Sequence, residues 1–423
     1  MTELAPTTSR PTLLERARAF LWAHRIPVAF GVAAFCVLAA FSGKRFLRQS
    51  KAPHFVYQAA AFLEGSLALP VDPPNQEDWA KVGEKIYVSF PAMPAVVMLP
   101  FVALWGYQFN DTSFTVFVGA LALLLFLLLL RRLASDGDSK RGEWENLGFA
   151  AILGFGTVFF YCAIRGEVWF TAEVMGVAFT SLYLLFATRT RRPVLAGLLY
   201  AMATLTRTPL MFAGVFFVAE ALWPRGTLSL AEAKEDLKPK LRKLALFAAG
   251  AAPLALAHMA FNWARFGGIA EFGHRHLWNN RVNANIAKWG LFDYHYLERN
   301  LHAAFTKLPT LSWEPFKIGY DPHGMSLLVT TPLLLLLLWP KEKPRLHRAL
   351  WLTVACTALP GFLYQNDGYM QFGFRFSLDY TPYLILLLAI GGWRMRSKLF
   401  ATLAVLGVVV NTWGALAFRG YSW

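Results

Sequence analysis

The chain has 423 residues, of which 56% are hydrophobic and only 16% are charged, and its formal net charge is +15. Soluble domains carry about 25% charged residues, so this composition excludes a soluble domain and indicates a membrane protein. The basic residues lie in connectors between long apolar segments. This is the pattern of cytoplasmic loops, and it excludes nucleic acid as the predicted partner.

Eleven apolar segments approach or reach the length of about 20 residues that crosses a bilayer. Backbone groups inside a membrane must be hydrogen-bonded internally, so each segment is predicted to be an α-helix. The predicted fold is all-α, a polytopic membrane helix bundle with about 11 transmembrane helices in a single integral membrane domain, 1–423. The predicted spans are 26–43, 112–130, 147–164, 169–188, 193–206, 208–223, 244–262, 325–339, 349–363, 377–392 and 398–417.

A further apolar segment, 90–106, carries three prolines, and the charge distribution decides whether it crosses the membrane. If it does not cross, the connectors on one side hold more than half of the 41 lysines and arginines, as cytoplasmic loops do. We therefore predict an interfacial or re-entrant element there. The N-terminus is then cytoplasmic and the C-terminus extracytoplasmic, with two large outer loops, 44–111 and 263–323.

The first large loop begins with a short predicted helix, because Pro53 stands near its first position and Gly65 just past its end. Helical spacing places His54, Tyr57 and Gln58 on one face. The helix is therefore predicted to lie at the membrane surface, with this polar edge toward a cavity. His54 is either a base or phosphate donor in that cavity, or an interfacial histidine.

Charged residues follow at two places on the same predicted side of the membrane. An acidic, proline-broken stretch runs from Asp72 to Asp78 and either binds substrate or forms a solvated loop. Arg165 and Glu167 then stand at the outer end of the third predicted span, where ionisable groups are costly and are paired or functional. Glu167 is a candidate catalytic residue, and the alternative is an Arg165–Glu167 pair that closes a tight turn.

Two arginines are predicted to lie at the outer interface. Arg207 stands between two short spans, and Arg375 lies in the sequence Phe-Gly-Phe-Arg-Phe, residues 372–376. Arginine binds phosphate through its planar, bidentate fork. The phosphate would belong to a substrate or to a bound lipid headgroup. Because two unpaired guanidinium groups at this depth would otherwise be costly, we expect both to approach one outward cavity.

The second large loop is rich in histidine and aromatic residues. His274 and His276 form a His-x-His pair, but the other histidines and carboxylates of the loop are scattered. No metal or other cofactor is therefore predicted, with a divalent metal as the alternative. Three cysteines lie in apolar segments and indicate neither a disulfide framework nor a zinc site. The aromatic residues stack on sugar rings or form an interfacial belt; they are Trp263, Phe266, Phe272, Trp278, Trp289, Phe292, Tyr294 and Tyr296.

The order of these elements resembles the GT-C superfamily of membrane glycosyltransferases, which includes the protein O-mannosyltransferases and the aminoarabinose transferases of lipid A. The resemblance lies in the loop after the first span, with its interfacial helix and re-entrant segment. It continues with Arg131-Arg132 after the second span, the charged turn after the third, and the sequence from Gly197 to Pro209. It covers roughly the first half of the chain, and Phe-Gly-x-Arg near the end adds to it.

The resemblance implies transfer of a sugar from a polyprenyl-phosphate carrier to an acceptor on the extracytoplasmic side, by an enzyme of the bacterial inner membrane. It also implies an acidic residue after the first span and another after the third, and Glu167 matches the second. Residues 50–54 contain no carboxylate. Either His54 is then the general base, whose ordinary pKa near 6.5 suits that role, or an acid between Asp72 and Asp78 supplies it, or the activity is lost.

The implied partners are a polyprenyl-phosphate-linked sugar, membrane lipids and an acceptor that is a glycan, a lipid or a protein. Arg207 and Arg375 would hold the departing phosphate and stabilise its growing charge. A transporter or flippase of a lipid-linked sugar is the alternative, since it needs the same arginines but no base. A structural subunit is the third. The further candidates for substrate binding are Tyr57, Asp72, Asp78 and Arg165.

Overall fold

The structure, a computed structural model, describes Thr12 and residues 24–419 of the chain. Most of the predicted cytoplasmic N-terminal segment and the extreme C-terminus, residues 420–423, lie outside the described residues. The described part is mostly helical, so the prediction of a helical membrane protein is confirmed. The α-helices are Arg25–Ser42, His54–Leu63, Met93–Trp105, Asp111–Ser135, Glu143–Phe155, Phe159–Ala163, Val168–Ala187, Pro193–Thr204, Gly214–Leu222, Leu230–Lys234, Leu237–Phe266, Asn280–Trp289, Leu297–Leu301, Leu327–Thr330, Leu346–Leu363, Thr381–Ile390 and Lys398–Arg419.

Shorter elements connect these helices. Two antiparallel hairpins pair Trp79–Val82 with Lys85–Val88 and Thr310–Trp313 with Phe316–Gly319. Residues His302–Thr306 form a π-helical turn. The 3₁₀ segments are Gly43–Leu47, Gly106–Gln108, Thr188–Thr190, Thr208–Ala213, His274–His276, Tyr294–Tyr296, Pro332–Leu338 and Arg375–Asp379. The described chain is thus mostly helical, as predicted, and each of the two loops also contains one short hairpin.

Six helical segments in the described part are long and apolar enough to cross a membrane: Arg25–Leu47, Asp111–Ser135, Val168–Thr190, Leu237–Phe266, Leu346–Leu363 and Lys398–Phe418. Four others are apolar but shorter, so the predicted number of about 11 spans is not confirmed. One of the shorter helices, Met93–Trp105, contains 13 residues. At about 1.5 Å per residue it is shorter than the roughly 30 Å hydrocarbon core, and the non-crossing path of segment 90–106 stays a prediction.

Three predicted spans are interrupted, at 147–164, 325–339 and 377–392. The first breaks after Phe155. There the helix Lys398–Arg419 comes so close that a Cβ atom added to Gly407 would lie 3.1 Å from the Gly156 carbonyl oxygen. The absence of a side chain at Gly407 thus permits this close approach. The second breaks at Pro332, which lacks an N–H donor. Near this break the Thr330 carbonyl accepts a hydrogen bond from the Asn411 side chain at 2.6 Å. Such side-chain partners let a broken helix persist inside a membrane protein.

The two large loops meet at one end of the bundle, which we call the loop end. In the first hairpin the side chains of Trp79 and Ala80 are fully buried. Ala80 forms an isolated bridge with Leu277 of the second loop, and the Trp278 N–H donates to the Trp79 carbonyl at 2.8 Å. The second loop is thus fastened onto the first, and together they cover the helix ends where the charged residues lie.

Candidate functional site

A cavity of ≈ 140 Å³ lies at the loop end, and we call it the arginine cavity because Arg207 and Arg375 both line it. The structure therefore brings these two residues to one cavity. Helix ends form its floor, and the two loops form its cover. Most of the surface of its wall is apolar, and the apolar residues that line it include Phe90, Pro91, Phe272, Leu277, Leu291, Phe292, Pro360 and Phe376.

Arg207 is held by a carboxylate from a segment distant in sequence. Its Nε and Nη2 atoms donate to the two carboxylate oxygens of Asp379 at 2.9 and 2.7 Å. Asp379 is only 4% exposed, so this bidentate pair is shielded from water. The expectation of an unpaired guanidinium at this position was wrong. The charge of Arg207 is balanced before any ligand binds, and Asp379 fixes the orientation of its fork.

Arg375 is different, because its guanidinium has much weaker contacts. Only 4% of the residue is exposed, and its nearest carboxylate oxygen, on Glu173, lies 3.7 Å away. That separation is too long for a hydrogen bond. Neither the Nε of Arg375 nor the Oε1 of Glu173 has a hydrogen-bond partner in the described part of the chain. A buried donor without a partner is costly, so Arg375 is poised to bind an anionic group in the cavity.

Phe376 links the two arginines. Its ring centroid lies 5.3 Å from the guanidinium carbon of Arg207 and 5.3 Å from that of Arg375. The two guanidinium carbons are therefore no farther apart than twice this distance. Both cations gain from the negative face of an aromatic ring. Because both also line the arginine cavity, an anionic ligand bound there has two guanidinium groups nearby.

Asp78 lines the same cavity as the two arginines, and it is held in place by the first hairpin. Asp78 precedes the first strand and Ser89 follows the second, and the Ser89 hydroxyl donates to the Asp78 carbonyl at 3.1 Å. Its carboxylate accepts from the Trp169 indole N–H at 2.9 Å. Burial raises the pKa of Asp78, and this outweighs the lowering by the Trp169 hydrogen bond and by the charge of Arg375.

A second cavity of ≈ 500 Å³ adjoins the first, and we call it the polar chamber. The two share Asp78, Trp169 and Arg375 as lining residues, together with Val282, Gln365 and Asn366. Among the described residues that line the chamber, Val282 is the one with an aliphatic side chain. The residues that line the polar chamber alone are Gln76, Glu77, Asn279, Arg281, Asn285, Arg299, His323, Asp367 and Tyr369.

His54, a predicted catalytic residue, does not line either cavity. It is fully buried and stacks on the Trp79 ring at 3.7 Å, with its Nε2 hydrogen-bonded to the Glu77 carbonyl at 2.8 Å. Burial lowers the pKa of His54 to about 4, so its imidazole is neutral at physiological pH. The predicted polar edge of its helix faces protein rather than a cavity. His54 supports Trp79, the residue next to Asp78.

Glu167, the other predicted catalytic residue, also lies away from both cavities. Both of its carboxylate oxygens accept from the Arg165 guanidinium, and Arg45 lies 3.5 Å from one of them. Arg165 in turn donates to the Phe418 carbonyl at 2.9 Å. This buried pair joins the turn before the helix Val168–Ala187 to the C-terminal helix. The alternative prediction, a pair that closes a tight turn, describes the geometry better.

The other predicted substrate-binding residues are spread over the first loop. Tyr57 packs against the rings of Trp79 and Tyr107, and Asp72 is exposed; neither lines the two cavities. His274 lines the arginine cavity, whereas the neighbouring His276 stacks on Phe266. Within residues 24–419, no group of three or more His, Cys, Asp or Glu side chains is arranged to hold a metal ion.

Sequence reasoning missed Asp379 and the amides Gln365 and Asn366. Asp379 follows Arg375 by four residues, at the start of a segment predicted as a membrane span from 377. An acidic residue at the end of a membrane span is costly and therefore indicates a paired or functional group. Asp379 was not among the candidates, because its segment was assigned as a span from its apolar residues alone. The position of residues 272–292 over the cavity carried no signal, because contacts between distant loops are not encoded in local periodicity.

No protein-family model matches the sequence, and no curated protein matches it. Among solved structures, the chain is similar to the apo oligosaccharyltransferase of Archaeoglobus fulgidus, with 14% identity and a TM-score of 0.48 over 92% of this chain and 55% of that one. A structure of the archaeal oligosaccharyltransferase AglB from Archaeoglobus fulgidus, in complex with an inhibitory peptide and a dolichol-phosphate, matches at 12% identity and a TM-score of 0.47, with the same coverage. The chain spans about half the length of these neighbours.

Proposed function

We propose that this protein transfers a glycosyl group from a polyprenyl-phosphate carrier to a hydroxyl group of a hydrophilic acceptor, on the extracytoplasmic side of the membrane. The observation that carries this proposal is the buried, weakly partnered Arg375 between an apolar cavity and a polar chamber. An anionic group that is attached to a lipid on one side and to a sugar on the other fits this arrangement.

The donor phosphate would bind Arg375, whose free Nε and neighbouring N–H groups match two phosphate oxygens. Arg207, whose charge is balanced and whose fork is oriented by Asp379, would add further N–H donors nearby. The apolar wall of the arginine cavity suits the isoprenoid units next to the phosphate. Charge grows on the phosphate as its bond to the sugar breaks, and positioned guanidinium groups stabilise such charge.

Asp78 is the general base in this proposal. The acceptor oxygen forms a bond to the anomeric carbon, and the bond between that carbon and the phosphate oxygen breaks. The bonding electrons leave with the polyprenyl phosphate, and the acceptor proton passes to the Asp78 carboxylate. Its raised pKa makes Asp78 a stronger base than an exposed aspartate, and Asp78 borders both the donor and acceptor spaces.

The polar chamber would receive the acceptor. Most of the residues that line it carry side-chain amides or charged groups. Such groups form hydrogen bonds with hydroxyl groups. The rings of Trp169 and Tyr369 offer apolar faces for stacking. An acceptor with several hydroxyl groups satisfies these contacts, whereas a lipid tail would leave the polar groups of the chamber unpaired.

A transfer assay with the full chain in lipid nanodiscs tests the proposal. Polyprenyl-phosphate-linked hexoses, pentoses and aminosugars would be offered with glycan, lipid and peptide acceptors, and the release of free polyprenyl phosphate would be measured. We expect release by wild type and a loss of about 10²–10⁴-fold in Asp78→Asn, the usual cost of losing a positioned general base. The Asn side chain keeps an oxygen that can accept from Trp169.

A matched control is Asp72→Asn, which removes an exposed carboxylate of the same loop and is expected to retain full activity. Full release by Asp78→Asn would contradict the assignment of the base. If wild type releases no polyprenyl phosphate with any donor, but moves the carrier from one leaflet to the other in sealed vesicles, the flippase function would replace transfer.

A further inference from the structure

The second hairpin, Thr310–Gly319, is amphipathic in a way that the transfer reaction does not use. Its strands pair Leu311 with Ile318 and Trp313 with Phe316. Alternate residues of a strand point to opposite faces, and directly paired residues share a face. These four large apolar side chains therefore form one face, while Thr310, Ser312 and Lys317 lie on the other.

The apolar face has no protein cover in the described chain. Trp313 is 74% exposed and Phe316 63%, and Leu311 and Ile318 are each about half exposed. Leu308, which precedes the hairpin, is 67% exposed. Four adjoining large apolar residues on one face of a small hairpin form a contiguous patch, and such patches mark protein or membrane contacts.

The base of the hairpin is fixed beside the C-terminal membrane helix. The Lys307 ammonium contacts the Asp321 carboxylate at 2.6 Å and so joins the two ends of the hairpin segment. Tyr320 packs against the rings of Trp413 and Phe418 near the end of the helix Lys398–Arg419. Leu416 of the same helix is 53% exposed, as expected of a lipid-facing side chain.

We infer that the apolar face of this hairpin lies in the membrane interface at the loop end, where it contacts lipid acyl chains. Continuity with the lipid-facing surface of the C-terminal helix selects a bilayer as the occupant. Tryptophan and phenylalanine suit this depth, and a lysine on the opposite face can reach lipid phosphates. The hairpin thereby holds the second loop at a fixed height above the helices. This contact exists whether or not the protein transfers a sugar.

Site-directed spin labelling of the full chain tests the inference. Single cysteines would replace residues 310–313 and 316–319 in a background in which Cys36, Cys162 and Cys356 are alanine. Each labelled protein would be placed, one copy per disc, in nanodiscs of phosphatidylcholine and phosphatidylglycerol. Power saturation by oxygen, which concentrates in lipid, would be compared with saturation by a water-soluble nickel chelate.

We expect the label at positions 311, 313, 316 and 318 to respond to oxygen and to lose its response to nickel. The label at 310, 312, 317 and 319 should show the reverse, which provides a control within the same hairpin. Equal nickel responses on both faces would place the hairpin in water and overturn the inference. A face closed to both reagents would indicate a protein contact, and dipolar broadening without discs would identify a second copy; either result also overturns it.

Discussion

Replacement of Arg375 by glutamine tests the anion site most directly. The guanidinium of Arg375 is nearly fully buried, lines both cavities and has a free Nε donor. A hydrogen bond to a charged group contributes about 1.5–3 kcal/mol, so two such bonds to a phosphate contribute about 3 kcal/mol or more. Because each 1.4 kcal/mol is a factor of ten, Arg375→Gln should weaken phosphate binding by roughly a hundredfold or more.

The buried carboxylate of Glu173 complicates this substitution, because Arg375 is the cation beside it. Removing one partner of a buried pair costs about 3–5 kcal/mol of stability. At 3.7 Å the pair has no hydrogen bond, so the cost here should lie below that range. The double variant Arg375→Gln with Glu173→Gln removes both charges. It should recover thermal stability without recovering phosphate affinity, which separates binding from folding.

The assay is calorimetric titration of purified protein with farnesyl phosphate, with farnesol as the uncharged probe. Arg375→Lys keeps the charge but lacks the planar fork, so its affinity should fall between wild type and Arg375→Gln. Arg396→Gln, at an exposed position between the last two helices, is the matched control and should bind like wild type. Wild-type affinity in a folded Arg375→Gln variant, or recovered affinity in the double variant, would refute the anion site.

Three further predictions concern the groups around the site. The rate of transfer should fall at low pH as Asp78 is protonated, at a pH above the ordinary aspartate pKa of about 3.9, and Asp78→Asn should lack this limb of the profile. Burial lowers the pKa of His54 to about 4, so the free energy of unfolding should be highest above pH 6.5 and should fall by up to about 3 kcal/mol toward pH 4. In thermal denaturation, His54→Phe should lose this pH dependence. Glu167→Gln should lower the thermal midpoint and leave the activity per folded molecule near that of wild type, and Arg165→Met with Glu167→Gln should be more stable than either single variant.

The arginines could be predicted from sequence because the cost of a charge at membrane depth does not depend on the details of packing. Arg207 and Arg375 were expected at one cavity on this ground, and the structure places them there. Their partners, Asp379 and Glu173, were not expected, because which carboxylate meets which arginine depends on how the helices are arranged. Asp78 was among the candidates, but the sequence did not single it out from Asp72.

His54 shows which part of a residue's surroundings could not be predicted from the sequence. Helical spacing correctly predicts a helix there, at His54–Leu63, and it gives the residues that share a face. Spacing does not tell whether a polar face meets water or another part of the protein. The stacking partner, Trp79, belongs to a hairpin whose short strands alternate too briefly to be recognised. The same limit applies to Glu167, whose bonds to Arg165 are local but whose burial depends on the C-terminal helix.

The charges around the arginine cavity favour proton transfer in the proposed reaction. Arg207 is neutralised by Asp379, whereas Arg375 faces Glu173 only at 3.7 Å. A bound phosphodiester would bring a negative charge near Asp78 and raise the pKa of that carboxylate further, because like charges favour the protonated form. The leaving polyprenyl phosphate gains a second negative charge, which favours a protonated Asp78 still more. Uptake of the acceptor proton by Asp78 and departure of the phosphate therefore assist each other in the transition state, without any contribution from His54.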